Sequence, residues 1–133
     1  MIEEAQKAVR EFHKEAGFFI GSEPTMAKGE ELSRTVRWIQ EELEEFEVAI
    51  TLVDQLDALA DLLYFVIGTF VRMGVNGDKI FQIVHDANMR KLTMTDEREY
   101  FLDGKLKKPE NWISPEGSIY EYLETLGIFD GDR

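Results

Sequence analysis

Three aspartates lie in the most apolar segment of the chain, residues 51–71, and they are its only charged side chains: Asp54, Asp57 and Asp61. At roughly 100° per residue, a helix places them within about 60° of one another, while aliphatic side chains cover the rest of its surface. Burying a lone carboxylate is costly unless it is protonated, paired or bound to a cation. We therefore expect these acids to share a partner on an otherwise buried helix, and a divalent metal ion is the simplest one.

A second acidic group precedes them in the segment 37–50, RWIQEELEEFEVAI. On a helix, Glu42 projects inside the apolar arc and Glu45 borders it, whereas Glu41 and Glu44 point to roughly the opposite side. Two helices thus present carboxylates inward. Because the chain has no cysteine and two histidines, its oxygen ligands favour Mg²⁺ or Mn²⁺ over zinc or copper.

A solvated acidic surface is the alternative interpretation of these patterns. The chain has 27 acidic residues among 133, so some align by chance, and for the glutamates this interpretation has about equal weight. Asp57 and Asp61 favour a site more strongly, because aspartate is a poor helix former and is rarely buried unpaired. Asp54 is near the predicted helix start, where an acid can simply favour the helix dipole.

Composition predicts one soluble cytoplasmic domain over residues 1–133. The net charge of −12 disfavours nucleic acid and anionic membranes as partners, and the absence of cysteine fits a reducing compartment. The N-terminal segment is amphipathic and acidic, unlike a signal peptide. The apolar segment has the length of a membrane span, but its three aspartates argue against insertion.

The periodicity of apolar residues predicts an all-α fold of four to five helices. We expect helices over about residues 3–15, 30–50, 52–73 and 78–92, with an ordered loop over 17–29. From about residue 93 the chain is expected to form an irregular tail, in which residues 119–126 form a short helix.

Polar residues replace core residues where the fourth predicted helix ends. Asn88 and Lys91 continue its apolar stripe, and the nearby loop carries Lys105, Lys107 and Lys108. An amide and an ammonium group there could hold phosphate oxygens, and Lys105 could close over a polyphosphate. The alternatives are that the helix leaves the core at this point and that the loop lysines serve solubility.

The order of these motifs resembles that of the all-α nucleoside triphosphate pyrophosphohydrolases, the superfamily of MazG, dimeric dUTPase and phosphoribosyl-ATP pyrophosphohydrolase. Their pattern is EExxE on one helix and ExxD on the next. Here the first motif is Glu41, Glu42 and Glu45, and the second ends at Asp61. Its first acid would be at position 58, which is Ala58, so Asp57 at a spacing of four is the expected substitute. An alternative frame pairs Asp54 with Asp57.

The resemblance implies a MazG-like helical bundle that hydrolyses a nucleoside triphosphate between the α and β phosphates, releasing pyrophosphate. A deoxynucleoside or non-standard nucleoside triphosphate is the expected substrate, with Mg²⁺, or alternatively Mn²⁺, as cofactor. The expected metal ligands are Glu42, Glu45, Asp57 and Asp61. Glu41 would be an outer-sphere ligand or base, and the phosphate-binding residues would be Asn88, Lys91 and Lys105. The superfamily also implies a homodimer or homotetramer.

Two other classes compete with this prediction. A di-metal oxidase built on a helical bundle normally needs Glu-x-x-His pairs, and neither His13 nor His85 has an acid three residues before it. A non-enzymatic helical module could instead use its acidic strip to bind a basic partner.

Overall fold

A computed structural model describes residues 1–94 and 97–128 of the chain. These residues form five helices and no strand, which confirms the predicted all-α fold. They divide into two compact units. The first unit is Ile2–Gly77, and the second runs from Asp78 onward and includes Met1. The prediction of a single domain over the whole chain stays a prediction.

In the first unit, helix α1 (Glu3–Ala16) packs against helix α3 (Leu52–Arg72). Val9 of α1 meets Ile67 and Val71 of α3 in the buried core. Helix α1 ends at Gly17, whose φ of 74° is the left-handed conformation that glycine adopts without strain. These contacts fix the helix that carries the predicted aspartates.

Helix α2 (Gly29–Val48) packs on α3, and only residues 49–51 separate the two helices. Thr51 begins α3, and its hydroxyl oxygen accepts a hydrogen bond of 3.1 Å from the backbone N–H of Asp54. This cap satisfies a backbone donor that the helix itself cannot pair. The acidic segments of α2 and α3 therefore belong to one helical hairpin.

The loop between α1 and α2 is bound to the end of α3, as predicted for an ordered loop. Gly21 donates a backbone hydrogen bond of 3.0 Å to Val71, and Thr25 donates one of 2.9 Å to Met73. A Cβ atom on Gly21 would lie 2.5 Å from the backbone nitrogen of Gly74. Glycine at position 21 is what permits this close approach.

The second unit contains nearly all of α4 (Gly77–Thr93) and the whole of α5 (Glu116–Thr125). The amino group of Met1 forms an ion pair of 2.9 Å with Asp78 near the start of α4. Further along, the indole N–H of Trp112 donates a hydrogen bond of 2.7 Å to the carbonyl of Ala87. This bond anchors the segment that follows α4 to the helix.

The expectation that α3 is buried on all sides is wrong for the single chain. Leu52, Leu56 and Leu63 are 70%, 56% and 57% exposed, because α3 is covered by α1 and α2 on part of its circumference. Phe18 and Phe19, in the loop between α1 and α2, are also exposed. The apolar surface of this unit therefore extends well beyond its core.

In the part of the chain that the structure describes, no single helix has both the length and the apolar character to cross a membrane. The cytoplasmic location stays a prediction.

Candidate active site

Glu42 lies in the second half of α2, and the pKa of its carboxyl is strongly raised. Its Oε2 atom is buried and has no hydrogen-bond partner. Burial raises the pKa of Glu42 from its usual value to about 7, and its neighbour Glu45 and the charges of Asp61 and Asp57 raise it further. The predicted position of Glu42 inside the apolar arc of α2 agrees with this burial.

The causes of this pKa shift show which acids lie near Glu42. Glu45 stands three residues after Glu42 on α2, so the two lie on one helix face, and Asp57 and Asp61 act on Glu42 from α3. Glu45, Asp57 and Asp61 are exposed, whereas Glu42 is half-buried. The charges of Glu45, Asp57 and Asp61 thus reach Glu42, and the role of these four acids as metal ligands stays a prediction.

The chemistry of these donors fits a hard divalent cation. All four side chains offer carboxylate oxygens, and the unpaired Oε2 of Glu42 is a buried acceptor that a cation would satisfy. As the side chains lie, no three Asp, Glu or His residues among residues 1–94 and 97–128 form a group that could hold a metal ion. The donor atoms therefore suit a divalent cation in their chemistry, but the side chains do not form a complete coordination shell.

The positions of Asp54 and Ala58 help to decide which two acids of α3 form the second acidic motif. Asp54 lies in the first turn of α3. It is not one of the described acids whose charges raise the pKa of Glu42. Ala58 is buried, so a carboxylate at that position would be removed from solvent. Because the charges of Asp57 and Asp61 reach Glu42 and that of Asp54 does not, we favour Asp57 and Asp61 as the acidic pair over the alternative of Asp54 and Asp57.

Glu41, the predicted base, is exposed on α2. It is adjacent to Glu42 in sequence, but successive residues of a helix point about 100° apart. Among the described residues, Glu41 is not one of the groups that shift the pKa of Glu42. Its catalytic role stays a prediction.

The predicted phosphate-binding residues all lie in the second unit. The Lys91 ammonium lies 4.9 Å from the centroid of the Trp112 ring, and that of Lys108 lies 5.3 Å from it. Asn88 is exposed on α4, and Lys105 is exposed on the following loop, where its backbone N–H donates to Asp103. Trp112 was not singled out from the sequence, yet it gathers two of the lysines by cation–π contact.

An aromatic pair beside the acids was also missed by the sequence analysis. Trp38 of α2 stacks on Phe65 of α3, with ring centroids 5.7 Å apart and an interplanar angle of 27°. Trp38 precedes Glu42 by four residues, and Phe65 follows Asp61 by four. Because α2 and α3 form a hairpin, this spacing was the signal that could have placed the two rings together.

A comparison with models of protein families gives a match. The family model for phosphoribosyl-ATP pyrophosphohydrolase matches residues 9–88, which is more than half of the chain. The match contains Glu41, Glu42, Glu45, Asp57 and Asp61, and it ends at Asn88, before Lys91 and Lys105. No curated protein matches the chain.

Proposed function

The chain belongs to the phosphoribosyl-ATP pyrophosphohydrolase family, and it is therefore a hydrolase that acts on an acid anhydride of a nucleotide; we propose that it cleaves a nucleoside triphosphate between the α and β phosphates. The products are a nucleoside monophosphate and pyrophosphate. The proposed substrate is a deoxynucleoside or non-standard nucleoside triphosphate. This membership confirms the predicted superfamily and the prediction of an enzyme.

The single observation that carries the proposal is the buried Oε2 atom of Glu42, which has no hydrogen-bond partner and whose carboxyl is influenced by the charges of acids on two helices. Four carboxylates that repel one another are unfavourable unless a positive charge joins them. In this proposal Glu42, Glu45, Asp57 and Asp61 hold Mg²⁺, or alternatively Mn²⁺. When bound, the cation supplies positive charge that polarises phosphate oxygens and lowers the pKa of water.

The remaining steps belong to side chains of this chain. Asn88, Lys91 and Lys105 bind the phosphate oxygens and orient the α phosphorus for in-line attack, which is the main contribution that a protein makes to phosphoryl transfer. Glu41 accepts a proton from the attacking water. No serine or cysteine nucleophile is invoked, and direct attack by water leaves no covalent intermediate to resolve.

The test is a pyrophosphate-release screen over ribonucleoside and deoxyribonucleoside triphosphates and phosphoribosyl-ATP, with Mg²⁺ and with EDTA. We expect release with Mg²⁺ and none with EDTA. Preference for phosphoribosyl-ATP over every triphosphate would overturn the proposed substrate class while leaving the reaction type intact.

Hydrolysis in ¹⁸O-labelled water identifies the phosphorus that is attacked. We expect the label in the nucleoside monophosphate, because attack at the α phosphorus expels pyrophosphate as one unit. Label found only in pyrophosphate would place the attack at the β phosphorus and contradict the proposal.

We also propose that the enzyme is a homo-oligomer, a dimer or a tetramer. The exposed leucines of α2 and α3, Leu43, Leu56, Leu59 and Leu63, support a second copy of the chain as the occupant of this surface, since monomers rarely expose a wide apolar face. A second copy brings the same apolar residues to the contact, so a two-fold interface is self-complementary. Sedimentation should give a multiple of the 15.4 kDa chain; an active monomer at micromolar concentration would contradict the proposal.

A further inference from the structure

A cleft of about 330 Å³ lies in the first unit, near the end of α3 that is farther from the predicted metal ligands. It is bounded by one face of α1, by residues 20–22 of the loop between α1 and α2, and by the turn that follows α3. Val71, which lines the cleft, follows Asp61 by ten residues on α3, and at about 1.5 Å per residue this is roughly 15 Å along the helix. The cleft is therefore distinct from the candidate active site.

Hydrogen bonds fix the walls of this cleft. The side-chain N–H of Gln6 donates a bond of 2.8 Å to the carbonyl of Val75, and its side-chain oxygen accepts one of 2.8 Å from the backbone N–H of Gly77. Gly21 of the loop donates its backbone hydrogen bond of 3.0 Å to Val71. Three separate segments of the chain are thus held together before any ligand arrives, and a preformed site loses less freedom when a ligand binds.

The face of α1 that lines the cleft carries two cations. Lys7 and Arg10 are three residues apart, a spacing that places both on one side of a helix. Among the described residues, Arg10 forms no ion pair and no hydrogen bond from its side chain. Its planar fork of five N–H donors suits an oxyanion such as phosphate.

The charge of the lining differs from that of the chain. Acids outnumber basic residues 27 to 15 over the whole sequence, whereas the charged residues lining the cleft, among those described, are Lys7, Arg10 and Glu3. Glu3 and Glu4 each pair with Lys7 at 3.4 Å, and all three side chains are exposed. Because exposed ion pairs contribute little free energy, an anionic ligand can replace Glu4 or Glu3 as the partner of Lys7.

The remaining lining leaves room for the organic part of a ligand. Ile20 is half-buried and packs against the core that contains Val71, and Ser22 is exposed with a hydroxyl that can donate a hydrogen bond. The volume is at the lower end of the range for small-molecule sites, roughly 300–1,000 Å³, and is several times the share of one water molecule in the liquid, about 30 Å³. The cleft therefore fits a small organic anion better than a bare ion.

We propose that this cleft binds a small organic phosphate, whose phosphate oxygens are held by Arg10 and Lys7 and whose organic part lies against Ile20 and Ser22. A phosphate monoester carries a charge of about −1.5 to −2 at neutral pH, so it matches two cations better than a carboxylate does. The inference goes beyond the proposed function, because this site needs neither a divalent cation nor any predicted metal ligand.

The test follows binding by NMR in the metal-free protein. Amide signals of the ¹⁵N-labelled chain are recorded in EDTA during titration with glycerol 3-phosphate, and glycerol is the uncharged comparison. EDTA keeps the phosphate from the candidate active site, where acids repel it unless a cation joins them. We expect saturable shifts at Arg10 and Ser22 with glycerol 3-phosphate and none with glycerol. No saturable shift at millimolar glycerol 3-phosphate, equal shifts with glycerol, or shifts confined to residues 88–108 would overturn the inference.

A pair of variants assigns the binding to Arg10. Arg10→Gln should weaken the affinity for glycerol 3-phosphate about fivefold or more, because it removes charge-assisted hydrogen bonds. Lys14→Gln is the matched control, because Lys14 is an exposed cation one turn later on α1 and does not line the cleft. Its substitution should change the affinity by no more than about twofold. An equal loss in the two variants would show only a general attraction to positive charge and would contradict the inference.

Glu3→Gln tests the sign of the charge effect. It should tighten the binding about two- to threefold, because it removes the acid from the lining and releases Lys7 from one of its two partners. Unchanged or weaker binding would show that the phosphate does not lie beside Lys7, and would contradict the inference.

The outcome is separable from that of the proposed function. No turnover is measured, so a chain that fails to bind glycerol 3-phosphate in the cleft leaves the proposed hydrolysis intact, and an inactive chain that binds it leaves the cleft assignment intact. The dispersion of the amide signals in each variant shows that a changed affinity does not come from a lost fold.

Discussion

Trp38 and Phe65 stack at 5.7 Å in the same hairpin that brings Glu42 near Asp61. Moving one turn forward on α2 corresponds to moving one turn back on α3, as antiparallel helices require. One packing register therefore places aromatic rings beside carboxylates. A substitution that shifted this register would disturb both groups at once.

Asp61→Asn should lower the rate of pyrophosphate release at least about 100-fold, because it removes a charge that the proposed site needs. Circular dichroism should show unchanged helical content, since Asp61 is exposed on α3. Asp54→Asn on the same helix is the comparison, and it should remain active. If Asp54→Asn is inactive and Asp61→Asn is active, the frame that uses Asp54 is correct.

Glu42 should make the metal-free protein less stable as the pH rises from about 5 to 8. The folded state holds this proton up to a pKa of about 7, whereas the unfolded chain releases it near the usual value. The folded state thus binds more protons in this window, and the free energy of unfolding falls with increasing pH. The expected effect is about 1–3 kcal/mol.

Urea unfolding in EDTA at several pH values measures this effect. The difference between wild type and Glu42→Gln isolates it, because the other titrating groups remain in both proteins. A difference that does not change with pH would mean that Glu42 keeps an ordinary pKa.

His13 should make the protein less stable as the pH falls, which is the opposite of the effect of Glu42. Burial is the main cause that lowers its pKa, and the charge of Arg72 adds to it. Below the usual value of about 6.5 the unfolded chain binds a proton that the folded state resists, so stability falls as the pH drops. NMR titration should place the pKa of His13 below 6.5, and a value at or above 6.5 would show that the ring is hydrated or paired.

Gly21→Ala should destabilise the first unit by about 1–3 kcal/mol, because the new Cβ would meet backbone atoms of Arg72 and Gly74 that cannot move independently. Gly117→Ala is the control. It lies in α5 with open space around it, so alanine should be neutral or stabilising by up to about 1 kcal/mol. Thermal unfolding of both variants makes the comparison, and equal melting temperatures would contradict the close approach of the loop to α3.

Lys91→Ala should weaken phosphate binding and transition-state stabilisation, and the defect should persist at saturating Mg²⁺. Lys79→Ala is a suitable control, because Lys79 also lies over an aromatic ring, that of Tyr122 at 5.9 Å, but is not one of the predicted phosphate ligands. Steady-state kinetics separates the effects on kcat and KM. Recovery of Lys91→Ala by Mg²⁺ alone would show that Lys91 supports the cation rather than the substrate.

The helices could be predicted because their signals are local. Apolar periodicity, Gly17 and the acids at helix starts placed all five helices within a few residues of their observed bounds. The pairing of α2 with α3, which carry Glu42, Glu45, Asp57 and Asp61, could be predicted for the same reason, since a short connection forces the two helices to be neighbours.

Exposure and cavities could not be predicted in this way. Apolar periodicity predicts which residues share a helix face, but not whether other parts of the chain cover that face. The exposed Leu56 and Leu63 of α3 show this. The cleft beside Arg10 depends on side chains from α1 and α3 together with the loop that carries Ser22, and their convergence is set by packing rather than by any one segment.

The short connection of residues 49–51 between α2 and α3 has a consequence for folding kinetics. Closing a loop of this length costs little chain entropy, and contacts between residues near in sequence form fastest. The α2–α3 hairpin should therefore form before α1 joins the core through Val9. The carboxylates of Glu42 and Asp61 would then approach each other early in folding, so their repulsion should slow folding at high pH and a divalent cation should accelerate it.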